Sequence, residues 1–373
     1  MLSFLKKQEN IKNKLLIGER FFLLGIFFLP SALPIGAIFL LISLLISFSQ
    51  SHHQLLKDKW NFPLLMSIGI ILMSTINASF INIPIELLNF NRSNIWINLF
   101  NWIPIIFGFL GFQNYLKTSS QKIRFSKFLL MGTVPVLISC IMQYNFKIYG
   151  PFSTFYGLII WFQYPLERGW GSATGLFSNQ NYTACFLSIV LPFSLIVLKN
   201  TKKNLNKLIL AIISFLIIYY LVLTYSRNAL LSLLIISFLY FGIKRILLIF
   251  SSLTLTSIFL TLLGITNVYL FSFFDKINET NFATKILEFN TNPRIQIWNS
   301  TITFISKKPL LGWGASTFSH LYNNHDETFK PPLEVLEAQH SHNIFLEIAH
   351  NFGIPLAIII LITLIFLIFK VIK

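Results

Sequence analysis

The sequence predicts an all-α fold: a polytopic bundle of about ten transmembrane helices, with both termini cytoplasmic and one large loop outside. Three observations lead there. Of the 373 residues, 54% are hydrophobic and only 11% charged, a balance foreign to soluble globular domains. The apolar residues gather in runs close to the roughly 20 residues a helix needs to cross a bilayer. The basic residues, finally, fall into alternate connections between those runs.

Taken in order, the candidate spans are 16–30, 33–49, 62–80, 95–115, 124–142, 181–198, 208–223, 228–243, 246–264 and 344–369. They divide the chain into a bundle of nine spans over 1–264, an outer loop over 265–342 and a last span over 343–373. With the N-terminus inside, the inner segments hold 19 of the 29 basic residues and three of the 13 acidic ones, Glu9, Glu19 and Asp58. The outside then holds ten of each, so the whole formal charge of +16 lies on the cytoplasmic face. This is the positive-inside rule. It excludes a nucleic-acid partner as the reason for the basic balance, because the lysines sit in short loops between spans. The N-terminal lysines before an apolar run resemble a signal peptide, but no A-x-A-like site follows, so the first span is expected to be retained.

The first 15 residues form a basic tail, and Pro30 and Pro34 mark a tight outer turn. His52 and His53 lie in the next inner loop without neighbouring cysteines or a carboxylate cluster, which favours a solvated loop over a metal site. Cys140 and Cys185 both fall within spans and read as small apolar residues. Residues 143–180 are crowded with Tyr, Phe and Trp, side chains suited to the bilayer–water boundary. They close on the stretch GLFSNQN before the sixth span. Spans seven and eight meet at Thr224-Tyr225-Ser226-Arg227-Asn228, a turn so short that Arg227 has little freedom to reach bulk water. An arginine at that depth marks a function with a partner, either an anionic ligand or a distant acid such as Glu167.

The least apolar long stretch is 292–351, with five of the seven histidines: His320, His325, His340, His342 and His350. Asn292-Pro293 is a helix start, an N-cap followed by proline at the first helical position. Arg294 then occupies the second position, where free N–H groups and the dipole already favour an anion. A cation there makes sense if it grips a phosphate; pairing with Glu288 is the alternative. Ile295, Trp298, Ile302 and Ile305 form an apolar stripe at helical spacing, and Trp298 shares a face with Arg294. Lys307-Lys308-Pro309 ends the helix, Gly312 and Gly314 allow a tight turn, and Gly353 and Pro355 predict a break in the last span.

The chain contains no G-x-x-x-x-G-K-[ST], G-x-G-x-x-G or C-x-x-C element, so no nucleotide or redox cofactor is expected. Two outer arginines suit a diphosphate leaving group, which guanidinium forks bind bidentately. A neutral histidine suits a base that takes a proton from an attacking hydroxyl. Together they describe transfer from a lipid diphosphate to a hydroxyl, with no metal required if the arginines stabilise the charge.

In the order GLFSNQN, YSRNALL, NPRIQIW with KKPLLGWG, and HSHNIFLEIAHNFGIP, the segments over roughly 170–360 resemble the O-antigen ligase and polymerase family. The resemblance implies a metal-independent, inverting glycosyltransferase of lipopolysaccharide or other cell-envelope polysaccharide synthesis. It would sit in the inner membrane with its active face and large loop in the periplasm. The donor would be a glycan on undecaprenyl diphosphate, and the acceptor a sugar hydroxyl on lipid A–core or a growing polysaccharide. By the same resemblance Arg227 and Arg294 would hold the diphosphate and His342 would be the base. His340, Trp298 and Lys308 would support substrate binding. Gly175, Asn181, Gly312 and Gly314 match as structural positions. The chain departs from the family in stopping soon after the HN helix, where members carry a further crossing. A competing reading, from relatives linked to inorganic-carbon uptake, is a bicarbonate-transport protein; the scarcity of acids within the spans speaks against ion-coupled transport.

Overall fold

A computed structural model describes residues 2–81, 87, 89–166, 171–242, 293–323 and 338–372. The helices are α1 (Leu2–Phe28), α2 (Leu33–Lys57), α3 (Phe62–Ile76), α4 (Ser93–Ile97), α5 (Ile103–Phe112), α6 (Ser119–Tyr144), α7 (Gln180–Asn200), α8 (Asn204–Leu223), α9 (Arg227–Phe241), α10 (Pro293–Lys307), α11 (Phe318–Asn323), α12 (Ile344–Phe352) and α13 (Ile354–Ile372). Between α6 and α7 stands an antiparallel pair, β1 (Phe152–Thr154) and β2 (Ile159–Trp161), registered Phe152 to Trp161 and Thr154 to Ile159. The fold is therefore helical with one small hairpin, which the all-α reading of the aromatic stretch misses.

Among the described residues, six helical stretches are long and apolar enough to cross a membrane: Leu33–Gln50, Lys59–Ile81, Ser93–Tyr115, Ser119–Tyr144, Gln180–Asn200 and Asn204–Leu223. Arg227–Phe241 and Ile354–Lys370 are shorter apolar helices. The expected span 246–264, the cap at Asn292, His325, Glu167 and Glu288 lie outside the described residues. Leu239, Phe215 and Phe369 are exposed. In water such a surface would be a liability; against lipid tails it needs no cover, and the helices satisfy their own backbone groups.

The chain forms two compact units, Met1–His52 with Gly111–Ile265, and His53–Leu110 with Thr266–Lys373. In the first, α1 packs on α6, α6 on α7, α7 on α8, and α9 on both α7 and α8. Its core includes Val136, Cys140, Leu187, Leu191, Ile217 and Leu221. Cys140 is buried, but Cys185 faces outward, so only one of the two is the core residue expected. Phe22 stacks on Phe125 at a centroid distance of 5.7 Å and on Tyr115 at 5.6 Å. The helix starts are capped by side chains: Thr118 and Gln121 form a reciprocal capping box on α6, and Asn179 accepts the Asn181 N–H at 2.7 Å on α7. Buried Glu19 takes both Nε (2.9 Å) and Nη2 (2.6 Å) of Arg124, and its second oxygen accepts from Gln121 at 3.2 Å.

Among the bonds that tie the connection after α6 to the bundle, four come from one buried amide. Gln143 accepts the N–H groups of Thr174 (3.0 Å) and Gly175 (2.9 Å) and donates to the Tyr164 carbonyl at 2.6 Å and the Thr174 hydroxyl at 2.8 Å. Four bonds leave neither end of that amide unsatisfied, which is what burial of a polar group requires. The aromatic stretch is thus tied to the bundle from within, while Tyr156 and Phe155 at the hairpin tip stay exposed.

In the second unit, Ile71, Leu99, Ala315, Ile348, Phe352 and Leu356 form one core, and Leu87, Ile297, Phe304, Trp313, Phe318 and Leu321 another. The buried face of α10 is Ile297, Ser300, Thr301, Phe304 and Ile305; of the expected stripe Ile305 is buried and Trp298 half-buried, while Ile302 is 53% exposed. Thr301 can be buried because its hydroxyl donates to the Ile297 carbonyl at 2.6 Å. The expected last span is two helices, broken at Gly353 where φ is +96°.

Candidate functional site

The break at Gly353 is matched to the loop that follows α10. The N–H groups of Trp313 and Gly314 donate to the carbonyls of His350 (2.8 Å) and Asn351 (3.0 Å), and Ile354 N–H donates to the Pro309 carbonyl at 2.8 Å. The first two bonds satisfy carbonyls left open at the end of α12. Contact is so close that a Cβ at Gly353 would lie 2.0 Å from the Leu310 carbonyl oxygen, and one at Gly312 2.5 Å from that of His350. The Ser74 hydroxyl reaches the same joint, 2.5 Å from the Leu311 carbonyl and 3.0 Å from that of Asn351. Trp313 anchors the loop to α10 through Nε1–H to the Phe304 carbonyl at 2.8 Å. The arginine-bearing helix and the histidine-bearing helix therefore belong to one packed block.

At the other end of α12, Asn343 is the N-cap, its carboxamide oxygen accepting from the N–H groups of Phe345 (3.0 Å) and Leu346 (3.3 Å). Just before it His342 takes φ +54°, a left-handed conformation that costs a non-glycine residue roughly 1–2 kcal/mol. Three bonds hold the turn in place. The Ser341 N–H donates to Glu347 Oε2 at 2.8 Å, the Ser341 hydroxyl donates to the Asn343 carbonyl at 2.9 Å, and Glu347 Oε1 accepts from Asn351 Nδ2 at 3.1 Å. Ser341 and Asn351 are buried; His340 and His342 are exposed, their ring centroids 4.3 Å apart.

His342 sits below the ordinary imidazole pKa. Desolvation by the surrounding protein is the main cause, followed by the charges of His340 and Arg294, with Glu347 pulling weakly the other way. The ring is therefore neutral at physiological pH, a proton acceptor with a guanidinium within electrostatic reach.

Each residue expected at the site can now be placed. Arg294 is the second residue of α10, as the Asn-Pro signal requires, and is exposed. Trp298, one turn on, is half-buried against the Phe304–Phe318 core, and its Nε1 is buried without a hydrogen-bond partner among the described residues. Lys308 places its ammonium 4.9 Å over the Trp313 ring, a cation–π contact within the unit. His350 is fully buried between Phe304 and Phe318, with Nδ1 3.0 Å from Asn351 Oδ1, and belongs to the core. His320 lies against Phe90. The structure thus brings Arg294, His340 and His342 together in the second unit.

Arg227 belongs to the first unit. It is the first residue of α9, exposed, following Tyr225 at φ +50° and the cap residue Ser226, whose side chain makes no capping bond. Both expected arginines therefore start a helix, where the dipole disfavours a cation unless an anion joins it. Beside Arg227, a cavity of about 440 Å³ between α7 and α9 is lined by Asn181, Ser188, Ser226, Asn228 and Ser232. Residues of GLFSNQN and YSRNALL, 45 positions apart, share its wall. Among the described residues no three His, Cys, Asp or Glu side chains cluster as metal ligands would.

Glu347, Ser341 and Asn343 went unassigned in the sequence. The spacing of Asn343 before an apolar helix is a cap signal; nothing in the sequence marks a carboxylate as the acceptor for a backbone N–H six residues earlier. Residues 212–361 match the family model described as O-antigen ligase. The match takes in YSRNALL, NPRIQIW and HSHN and begins after GLFSNQN. Among curated proteins, none matches the chain.

Proposed function

We infer that this multi-pass membrane protein, which through residues 212–361 belongs to the O-antigen ligase family, transfers a glycan from an undecaprenyl-diphosphate carrier to a sugar hydroxyl. The acceptor is lipid A–core or a growing polysaccharide. The membrane is the inner membrane, and the reaction face is periplasmic, on a topology of about ten spans with both termini inside. The single observation that supports it best is the neutral His342 held in a strained, hydrogen-bonded turn within reach of Arg294.

In this reading His342 takes the proton from the acceptor hydroxyl as that oxygen attacks the anomeric carbon. The bond from that carbon to the carrier diphosphate breaks, and the diphosphate leaves with its charge held by Arg294 and the N–H groups opening α10. Arg227 is assigned to the diphosphate by its motif and its place at the start of α9. Trp298, one turn from Arg294 on the same helix, is assigned to substrate binding by its motif. His340 supports the base electrostatically, and Lys308 supports the turn next to it.

The experiment is the carrier-linked glycan pool in cells lacking the gene, complemented with wild type, His342→Ala or Arg294→Lys. Long polymer accumulating on the carrier identifies a ligase, and single repeat units a polymerase. His342→Ala is expected to match the deletion, and Arg294→Lys to fall close to it, because a point charge does not reproduce the guanidinium fork. A wild-type pool with His342→Ala removes the base assignment. An unchanged pool in the deletion removes the enzyme.

A further inference from the structure

At the opposite end of the first unit from Asn181 and Arg227, α6, α7 and α8 enclose a second cavity, of about 650 Å³. Its wall is apolar: Leu130 and Val134 from α6, Val197 from α7, Leu210 and Ile213 from α8. Its rim carries Lys127, Lys202 and Lys203. Lys127 opens onto it from the first turns of α6, and the two other lysines come from the connection between α7 and α8.

Two observations define what fits. The first is charge. Between Gly111 and Gly242 the sequence has a single acid, Glu167, so α6, α7 and α8 carry none at all. Glu19, which α1 brings to this end, is already taken by Arg124 and Gln121. Among the described residues no acid pairs with Lys127, Lys202 or Lys203. The second is depth. Lys127 and Val134 are seven residues apart on α6, and Ile213 lies ten residues along α8 from the cap residue Lys203, so the apolar wall extends roughly 10–15 Å below the lysines at 1.5 Å per residue. That is about half of the ~30 Å hydrocarbon thickness, one leaflet deep. Lysine stems can lie along such a wall with their ammonium groups at the rim.

From this geometry we propose that the cavity is a site for one anionic phospholipid of the cytoplasmic leaflet, its phosphate on Lys127, Lys202 and Lys203 and an acyl chain along Val134, Leu210 and Ile213. A zwitterionic lipid brings its own cation to the rim and loses most of the attraction, and a free phosphate lacks the chain. The site is independent of the transfer reaction, since it rests on none of the residues assigned to that chemistry.

The test uses the full chain in detergent, with native mass spectrometry against phosphatidylglycerol and phosphatidylcholine. Wild type is expected to keep one phosphatidylglycerol with at least tenfold preference over phosphatidylcholine. Lys127→Ala/Lys202→Ala/Lys203→Ala is expected to weaken it roughly 100-fold, about fivefold per lysine at a membrane surface. The corresponding triple arginine variant should retain it, which separates loss of charge from loss of fold. Ile213→Trp, which fills the groove, should weaken it with the lysines intact, and Lys199→Ala/Lys207→Ala, outside the lining, should not. Equal retention of the two lipids by wild type, undiminished phosphatidylglycerol on the triple alanine variant, or displacement by equimolar glycerol 3-phosphate would each overturn the proposal.

Discussion

The carboxylate of Glu347 accepts the backbone N–H of Ser341 at 2.8 Å, one residue before the histidine assigned as the base. Ser341 is fully buried, so removing the acceptor leaves an unsatisfied donor at about 1–3 kcal/mol and releases the His342 turn. Glu347→Ala is expected to reduce glycan transfer about 10- to 100-fold. Glu347→Gln should retain more activity but shift the acid limb of the pH–rate profile downward, because the negative charge that raises the His342 pKa is gone. An unmoved limb would leave Glu347 a purely structural residue.

The pH dependence itself has a definite sign. With its pKa lowered by desolvation, His340 and Arg294, His342 loses its base form only as pH falls below the ordinary imidazole value of about 6.5. The acid limb of transfer should therefore lie below that value, and His340→Ala should move it upward. Stability runs the same way: the unfolded chain takes up this proton first, so the native state weakens as pH drops through that range. Transfer measured in reconstituted membranes from pH 5 to 8 checks both.

Gly353→Ala should prevent normal folding of the second unit. Its Cβ would lie 2.0 Å from the Leu310 oxygen and its φ is +96°, a combined cost of about 3 kcal/mol or more. Gly69→Ala is the control, since nothing lies within 4 Å of a Cβ there; in a helix it should be neutral or gain up to about 1 kcal/mol. Thermal unfolding monitored by size exclusion distinguishes them.

Gln143→Leu removes the four bonds that Gln143 makes to the aromatic connection and orphans the Thr174 and Gly175 N–H groups. A loss of about 2–4 kcal/mol is expected, together with faster proteolysis between α6 and α7.

Much of this was legible in the sequence because the signals are local. Asn-Pro places Arg294 on its helix, and long apolar runs with lysines in alternate loops announce a membrane bundle. The failures share a physical cause as well. Thr301 reads as polar, yet it is buried because its hydroxyl is satisfied four residues back. Gln143 and Glu347 act on backbone N–H groups 31 and six residues away, and a backbone donor leaves no trace in residue type. The hairpin was hidden for a related reason: aromatic side chains suit strand and interface equally.

The joint between the loop after α10 and the end of α12 is made almost wholly of peptide groups meeting peptide groups. Such a seam is indifferent to which side chains flank it, provided three positions keep no side chain at all. Leu310, Leu311 and Ile354 could drift to other residues with the alignment of arginine and histidine unchanged, whereas Gly312, Gly314 and Gly353 could not. Variation among sequences built on this block should therefore be free along its surface and frozen at three small gaps.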